Sequence, residues 1–147
     1  MVRPRWQANP PKTPEPSVNW CAIGIADIKQ DQGPYLEQVA VLTHGYQRHE
    51  DLTLACTFYG PQAQGYATAL RDGLAIPQNI EALAAVGIKF IECSSTRAAP
   101  ELYNQQWLKR YDLTVRFRRQ VKRTYSVQTV LSAADLLVTD TIGVISH

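Results

Sequence analysis

The sequence predicts an α+β fold, in which a mixed, mainly antiparallel sheet packs against two helices behind an extended proline-rich N-terminal arm. Three observations lead to this prediction. Strand-like alternation of apolar and polar residues occurs early and late in the chain, helical periodicity replaces it in the middle, and five of the nine prolines lie within the first nineteen residues. We therefore expect an arm at residues 1–19 and a single domain at residues 20–147.

The arm should be extended, because proline fixes φ and lacks a backbone N–H donor. It also contains Arg3, Arg5 and Trp6, and a tryptophan is costly to leave in water. The arm therefore either docks on a neighbouring subunit or folds back on its own domain, and the sequence leaves both arrangements open.

Three strands are expected between the arm and residue 60. Trp20–Ile28 places larger apolar side chains on one face and small residues on the other, and Tyr35–Leu42 is apolar and rich in strand-forming residues. Thr43–Gln47 is expected to be a loop. Glu50–Phe58 alternates strictly between apolar and polar residues, which is typical of a strand with one buried face.

The first helix should begin at a strand-to-helix corner. Gly60 permits the unusual backbone conformation that such a corner needs, and Pro61 suits the first helical position, where its missing N–H costs nothing. Gly73 suits the end of this helix. The apolar stripe of the helix consists of Ala63, Tyr66, Ala67 and Leu70.

A second helix and a short strand should follow. The helix is expected to start at Pro77 or at Asn79, whose side chain suits an N-cap, and to continue through Val86. Gly87 suits its C-terminal cap, and Ile88–Cys93 reads as a short buried strand.

The rest of the chain is expected to return to strand. The sequence predicts a loop at Ser94–Ala99, a helical turn at Pro100–Trp107 and a long strand over Asp112–Val127. Weaker patterns suggest a helix over Leu131–Leu137 and a strand over Gly143–Ser146. The order β-β-β-α-α-β-β is typical of a sheet with helices on one face.

The long strand, DLTVRFRRQVKRTYSV, is the most informative segment because it alternates almost without a break. At about 3.3 Å per residue, twelve of its residues would extend roughly 40 Å, so we expect the strand to reach beyond its own core and meet another chain. Its apolar face carries Leu113, Val115, Phe117 and Val121, continued by Tyr125 and Val127. Its polar face carries Asp112, Thr114, Arg116, Arg118, Gln120 and Lys122.

Charge is concentrated on the same segment. The net charge of +2 combines +6 in residues 109–123, where seven basic residues face only Asp112, with −2 in residues 1–108 and −2 in residues 124–147. A mildly acidic body with one basic ribbon indicates an electrostatically matched partner, either protein or nucleic acid.

Nucleic-acid binding is the alternative function that this ribbon suggests. Arg116, Arg118 and Lys122 could grip phosphates along one strand face. Alternation points Phe117 to the opposite face, however, so it is not placed to stack on bases. The small net charge and the confinement of the arginines to one strand make this the less favoured hypothesis.

The sequence offers no constellation for catalysis or metal binding. Cys21, Cys56 and Cys93 lack the spacing of a zinc site and read as small buried hydrophobic residues in a reducing compartment. His49 could act as a base oriented by Glu50 or Asp51, but adjacent strand residues point to opposite faces, so His49 and Glu50 do not easily form a pair. The motifs GxSxG, HExxH, GxGxxG and the P-loop are all missing from the sequence, and we expect no enzyme.

No apolar run approaches the roughly 18 residues of a membrane span. The N-terminus has charge and proline but lacks the apolar stretch of a secretory signal. We therefore expect a soluble protein that does not contact membranes and is intracellular when made.

Four blocks of the sequence, taken in order, carry a resemblance to a known family. RPRWQ, RHEDLTLACTFYGP, LRDGLAIPQN and WLKRYDLTVRFRRQVKRTY resemble the phage neck-terminator family, also described as tail-terminator proteins of long-tailed phages. The resemblance spans Arg3 to Val130.

The resemblance implies a structural role without catalysis or cofactor. Such proteins are thought to form a ring, typically a hexamer, that caps the head-proximal end of the tail tube, ends tube polymerisation and joins the tail to the neck and head. The implied partners are further copies of the chain, the tail tube protein, a head-completion or neck protein, and the sheath protein where the tail is contractile. DNA would pass through the ring without specific binding.

The implied location is the tail–neck junction of the virion, after a stay in the host cytoplasm. Another neck component, such as a head-completion or tail-completion protein, is the alternative within the same resemblance.

Eight residues are predicted to lie at subunit or tube-facing surfaces. For the strand residues the alternative is a solvated strand face, and for the helix-end pair it is a local pair of little energetic consequence. The set comprises Arg116, Arg118, Arg119 and Lys122 on the long strand, Arg5 and Trp6 in the arm, and Arg71 and Asp72 at the end of the first helix.

Overall fold

The computed structural model describes residues 1–126, which form nine strands and two helices. The sheet is mixed and mostly antiparallel, so the predicted α+β class is confirmed. The elements are β1 (Val2–Pro4), β2 (Trp20–Gln30), β3 (Tyr35–Ala40), β4 (Thr43–Tyr59), α1 (Ala63–Gly73), α2 (Pro77–Ala85), β5 (Ile88–Cys93), β6 (Arg97–Ala98), β7 (Glu101–Tyr103), β8 (Gln106–Leu108) and β9 (Arg110–Ser126).

Two units make up the chain. Among the described residues, the first consists of Met1–Gln30 and Glu50–Gln120, and the second of Asp31–His49 and residues 121–126. Strands β4 and β9 contribute residues to both. The division into an arm at residues 1–19 and a single domain stays a prediction.

The sheet of the first unit has the order β1-β2-β4-β9-β5. β1 runs parallel to β2, whereas β2 is antiparallel to β4 and β5 is antiparallel to β9. The short strand β6 adds to β9 through Arg97 and Ala98. Segments that are distant in sequence are therefore neighbours in the sheet, and they bring their side chains together on its two faces.

The core of the first unit lies between the sheet and α1. Leu113 and Val115 of β9 are fully buried, which confirms the alternation predicted for this strand. Ala63 and Ala67 let α1 approach the sheet closely, because their side chains are small and fully buried. The core cluster comprises Cys21, Cys56, Phe58, Ala63, Ala67, Leu74, Leu113 and Val115.

In the second unit β3 pairs with the first residues of β4. The two strands form a hairpin joined by Val41 and Leu42, with Ala40 opposite Thr43. The loop predicted at Thr43–Gln47 is therefore wrong. Its polar residues indicated a loop, but pairing with β3 satisfies their backbone groups and extends β4.

The corner before α1 differs in one detail from the prediction. Gly60 has a φ of +110°, which confirms its permissive backbone role. Pro61 precedes the helix rather than starting it, and Gln62 is the N-cap. The backbone N–H of Gln62 donates to Asn19 Oδ1 at 2.9 Å, so a residue beside β2 satisfies a group at this helix end.

Helix α2 starts at Pro77, which occupies the first turn as predicted. Ile76 is its N-cap, so the predicted capping role of Asn79 is wrong. The Asn79 side chain instead donates from Nδ2 to the carbonyl oxygen of Gly73 at 2.8 Å, at the C-terminal end of α1. Gly87, at a φ of +75°, follows α2 as expected.

The helical turn predicted at Pro100–Trp107 is wrong. β7 and β8 form a separate two-stranded hairpin there, and Asn104 and Gln105 turn the chain with φ of 46° and 61°. Two successive left-handed residues match the twist of a tight hairpin, which overrides the helical pattern. Within the loop predicted at Ser94–Ala99, two residues form β6.

The predicted helix over Leu131–Leu137, the predicted strand over Gly143–Ser146 and the last residue of the predicted long strand, Val127, lie outside the described residues. None of the helices within residues 1–126 has the length and apolar character needed to cross a membrane.

Candidate assembly interface

The basic ribbon of β9 lies beside carboxylates of the neighbouring strands. Arg118 Nη1 donates to Asp51 Oδ1 of β4 at 2.8 Å. Arg116 forms an ion pair with Glu92 of β5, and its Nη2 lies 3.6 Å from Asp51 Oδ2. The ion pair with Glu92 also raises the pKa of Arg116. These arginines therefore bridge three strands of the sheet within one chain.

Arg119 lies on the other side of β9 from Arg116 and Arg118, next to the core. Its Nε and Nη2 donate to the same oxygen of Glu50, at 3.0 Å and 2.9 Å. Gln30 Nε2 donates to the other carboxylate oxygen at 3.2 Å. The Glu50 side chain is almost fully buried, so its charge has partners in place of water.

Arg110 at the start of β9 is held in the same way. Its Nε and Nη2 donate to the two oxygens of Asp112 at 2.9 Å and 3.0 Å, and it also forms an ion pair with Glu101 of β7. The hydrogen bond to Asp112 raises the pKa of Arg110 most. The guanidinium lies 5.9 Å over the ring of Tyr59.

These pairs change the interpretation of the local +6 charge. Four of its seven cations, Arg110, Arg116, Arg118 and Arg119, have carboxylate partners within the first unit. A phosphate backbone would have to compete with those partners for the same guanidinium groups. The structure thus weakens the nucleic-acid hypothesis that rested on the strand face of Arg116 and Arg118.

Lys122, the fourth predicted residue of β9, belongs to the second unit. It lines a shallow cleft of about 260 Å³ together with residues of β3 and β4, among them Tyr35, Glu37 and Gln47. It is exposed. Lys122 is therefore considered with the second unit, and its role at a subunit or tube-facing surface stays a prediction.

The β3–β4 hairpin of the second unit exposes an unusual amount of apolar surface. Five large apolar side chains retain between 47% and 77% of their accessibility: Tyr35, Leu36, Val39, Val41 and Leu42. Monomeric proteins rarely expose large amounts of apolar surface in one small element. Sequence reasoning missed this surface. The signal for it is the continuous apolar run Val39–Leu42, which departs from alternation and so places apolar side chains on both faces near the hairpin turn.

A second apolar pair lies on the β7–β8 hairpin. Leu102 and Trp107 are cross-strand partners, and both are exposed. The ion pair between Arg110 and Glu101 ties this hairpin to β9. An exposed tryptophan on a fixed hairpin is a residue type enriched at the centres of protein interfaces.

The N-terminal arm folds back on its own chain, one of the two arrangements that the sequence left open. Arg5 donates from its backbone to the carbonyl oxygen of Ile23 at 2.9 Å and from Nη1 to the buried Thr57 Oγ1 at 2.8 Å. Trp6 lies over Gly24, where a Cβ would come within 2.7 Å of the indole ring. Trp6 nevertheless remains largely exposed, so its outer face is open to a partner.

An apolar groove separates the arm from α1. It has a volume of about 340 Å³ and opens between the start of β1, the β2–β4 pair and helix α1. Its lining includes Val2, Cys21, Ile23, Phe58, Tyr66 and Leu70.

Arg71 and Asp72, the predicted helix-end pair, are both exposed in the last turn of α1. No ion pair joins them among the described residues. They are therefore separate surface charges, and a role at a subunit contact stays a prediction.

The groups considered for chemistry are not assembled into a site. His49 is exposed, whereas Glu50 is buried and bound to Arg119. Burial, with a smaller effect of the neighbouring Cys21 and Cys93, raises the pKa of the Cys56 thiol to about 11. Cys56 is thus protonated and unreactive near neutral pH. Within residues 1–126 no group of three or more histidines, cysteines and carboxylates is arranged to hold a metal ion.

Comparison with known proteins identifies a family that the chain matches. A family model described as phage neck terminator protein matches residues 1–143. That range contains all four sequence blocks that carry the resemblance, both hairpins and the whole of β9. None of the curated proteins matches the chain.

Proposed function

The chain belongs to the phage neck terminator family, and from this membership we propose that it forms a hexameric ring that caps the head-proximal end of the tail tube. A phage neck protein is a structural component of the virion that contacts other head and tail proteins. In the proposed role the ring stops tube polymerisation and presents the completed tail to the neck.

The observation that best supports self-association is the apolar surface of the β3–β4 hairpin. Burying those side chains against a second copy would remove them from water, at roughly 25 cal/mol for each Å² of apolar surface. A hairpin that meets a different surface of the next copy makes a head-to-tail contact. Repeating such a contact with a closing rotation produces a ring.

The paired arginines suit the rim of such a contact. Arg116, Arg118 and Arg119 each keep part of their side chain exposed while their charge is balanced within the chain. Interfaces commonly surround an apolar centre with polar, partly solvated groups of this kind. We place Lys122, Arg5, Trp6, Arg71 and Asp72 at the same subunit or tube-facing surfaces.

The partners of the ring follow from its proposed position. One side would contact the tail tube protein and the other a head-completion or neck protein, with the sheath protein as a further partner in a contractile tail. DNA would pass through without specific binding, in keeping with the pairing of the β9 arginines to carboxylates. Before assembly the protein would reside in the host cytoplasm.

The test combines solution mass with a tube-capping assay. Light scattering at two salt concentrations should give a species near six times the subunit mass of 16.5 kDa, or a monomer that assembles only on tube ends. Purified tail tube protein polymerised with the chain should give shorter tubes, each with a ring at one end in electron micrographs. Tubes of unchanged length without end rings would contradict the proposal.

A further inference from the structure

The connection between β1 and β2 is unusual for two parallel neighbours. Parallel strands need a crossover, and that crossover is usually a helix packed on the sheet. Here residues 5–19 make the crossover without a helix or strand of their own. β1 is therefore held in place mainly by its own contacts with the sheet, because the crossover contributes no packed helix.

The segment Met1–Thr13 makes its main contacts with β2 and β4. β1 places Val2 opposite Cys21 and Pro4 opposite Ile23. Residues Pro10, Pro11 and Thr13 lie with Trp20 and Tyr59 around a cleft of about 180 Å³ on the sheet face that carries Thr57. Arg3 lies over the Trp20 ring at 5.5 Å, and its Nη1 donates to the carbonyl oxygen of Lys12 at 3.0 Å.

A short hinge separates this segment from the sheet. Residues 14–19 contain one turn, in which the backbone N–H of Val18 donates to the carbonyl oxygen of Glu15 at 2.9 Å. Pro14 and Pro16 flank Glu15, and proline disfavours helical backbone in the residue before it. Asn19 is fixed at the other end of the hinge by its bond to Gln62. Opening the hinge therefore costs one turn and the pairing of β1 with β2, and it leaves the pairing of β2 with β4 intact.

We propose that the segment Met1–Thr13 is exchanged between copies, so that β1 of one subunit pairs with β2 of the next subunit in the ring. Each β2 then still pairs with a β1 strand of the same sequence, but that strand belongs to the neighbouring subunit. This inference rests on the proposed ring, and it specifies how consecutive subunits are linked.

Exchange preserves the contacts that hold the arm. The bond from Arg5 to Thr57, the packing of Trp6 on Gly24 and the pairing of Val2 with Cys21 form equally well between two copies. A fully extended hinge of six residues reaches about 20 Å, enough to cross to an adjoining subunit. Each subunit would thereby hold its neighbour through a partly buried hydrogen bond and an edge strand.

A disulfide between positions 2 and 21 tests the exchange directly. The two residues are in register on neighbouring strands and line the same groove, and strands about 4.8 Å apart fall within the Cα separation of a disulfide. One chain carries Val2→Cys and Cys21→Ala, and it is mixed during refolding with a larger, tagged chain of natural sequence. Neither chain then contains both cysteines of the pair.

Exchange predicts that mild oxidation of the assembled mixture links most Val2→Cys chains to tagged chains, with the expected mass on a non-reducing gel. A matched chain carrying Glu81→Cys and Cys21→Ala, with its cysteine at an exposed site on α2, should link at least tenfold less. The chain carrying Val2→Cys alone, with Cys21 retained, should give a covalent ladder when assembled.

The outcomes separate this inference from the proposed function. Rings of the expected mass in which Val2→Cys links only to Cys21 of the same chain would overturn the exchange and leave the ring standing. A protein that remains monomeric even with tail tubes, again with links only within one chain, would overturn both.

Discussion

Arg119 donates two hydrogen bonds to a single oxygen of Glu50, whose side chain is only 5% exposed. The two residues lie 69 positions apart, on β9 and β4. A buried carboxylate that has lost its water needs a cation to balance its charge. The Arg119 side chain, in contrast, is 40% exposed and remains partly solvated. The pair therefore ties two central strands together more firmly than the surface pairs of the same ribbon.

Replacing Arg119 with Gln should destabilise the protein. The change leaves the Glu50 carboxylate buried, with the hydrogen bond from Gln30 still in place. Removing one partner of a buried pair costs about 3–5 kcal/mol, and we expect about 2 kcal/mol because Arg119 is partly solvated. Urea unfolding followed by fluorescence would measure the change in the free energy of unfolding.

Arg116→Gln is the matched control, since Arg116 and its partner Glu92 are both well exposed. Its expected cost lies between 0 and about 1 kcal/mol. The double change of Glu50 and Arg119 to Leu should recover stability relative to Arg119→Gln, because it removes both buried charges together. If Arg119→Gln and Arg116→Gln lowered the free energy of unfolding by the same amount, the burial of Glu50 would have no energetic importance.

Gly60→Ala should weaken the corner between β4 and α1. Gly60 has a φ of +110°, and an added Cβ would lie 2.6 Å from both the carbonyl oxygen of Val18 and Asn19 Oδ1. We expect a loss of about 2 kcal/mol in the free energy of unfolding, within the range for forced backbone strain.

Gly65→Ala is the control for Gly60→Ala. Gly65 lies inside α1 with open space around it, so the same substitution should stabilise the helix by about 0.5–1 kcal/mol. The two variants are thus expected to shift the thermal midpoint in opposite directions. A shift of the same sign in both would refute the conformational argument.

The sequence predicts an element well where the faces that its periodicity marks as apolar are also the faces that the fold buries. The alternation of β9 appears directly in the burial of Leu113 and Val115. The strict alternation predicted for Glu50–Phe58 is not reproduced at the end of β4, because Thr57 is buried beside Cys56 and Phe58 and accepts a hydrogen bond from Arg5 of the arm. Helix α1 follows the same rule, because its small apolar stripe faces the sheet.

The errors arise where distant pairing decides the local structure. Thr43–Gln47 has the composition of a loop, and only its pairing with β3 makes it a strand. At the β7–β8 turn, Asn104 and Gln105 adopt left-handed backbone conformations, which the periodicity of helices or strands does not predict.

The candidate interface shows the same division. The sequence identifies the basic ribbon, but the acidic residues that pair with Arg116 and Arg118 lie 24 and 67 positions away. Their contact depends on which strands are neighbours, and strand order is a property of the whole fold. Local patterning therefore finds the charges and cannot find their partners.

The stability of the protein should fall at alkaline pH because of Cys56. Burial raises the pKa of this thiol from 9.0 to about 11, so the folded state keeps a proton that the unfolded chain releases. The free energy of unfolding should be steady below pH 9 and decrease between pH 9 and 11, by about 2–3 kcal/mol. Urea unfolding at a series of pH values would measure the slope.

Cys56→Ala isolates this effect. The variant loses some stability at every pH, because a buried side chain becomes smaller. Its decline above pH 9 should be shallower than that of the natural protein, although Cys21, Cys93 and Tyr59, whose pKa values are also raised by burial, retain their own contributions. An unchanged slope would mean that Cys56 ionises normally in the folded state.

The combined change of Val41 and Leu42 to Lys should abolish assembly without unfolding the chain. Both side chains are exposed at the tip of the β3–β4 hairpin, so the folded subunit loses little when they become polar. In the proposed ring they are buried against a second copy, where two unpaired cations would be costly. Light scattering should show only monomer, and tail tubes should grow without a cap.

Val86→Lys serves as the comparison, because Val86 is equally exposed but lies at the end of α2. It should assemble like the natural protein. Circular dichroism and the thermal midpoint should be close to natural for both variants, which separates loss of contact from loss of fold. If the hairpin variant still forms rings of the natural mass, the subunit contact does not involve this hairpin, and the exposed pair Leu102 and Trp107 becomes the next surface to change.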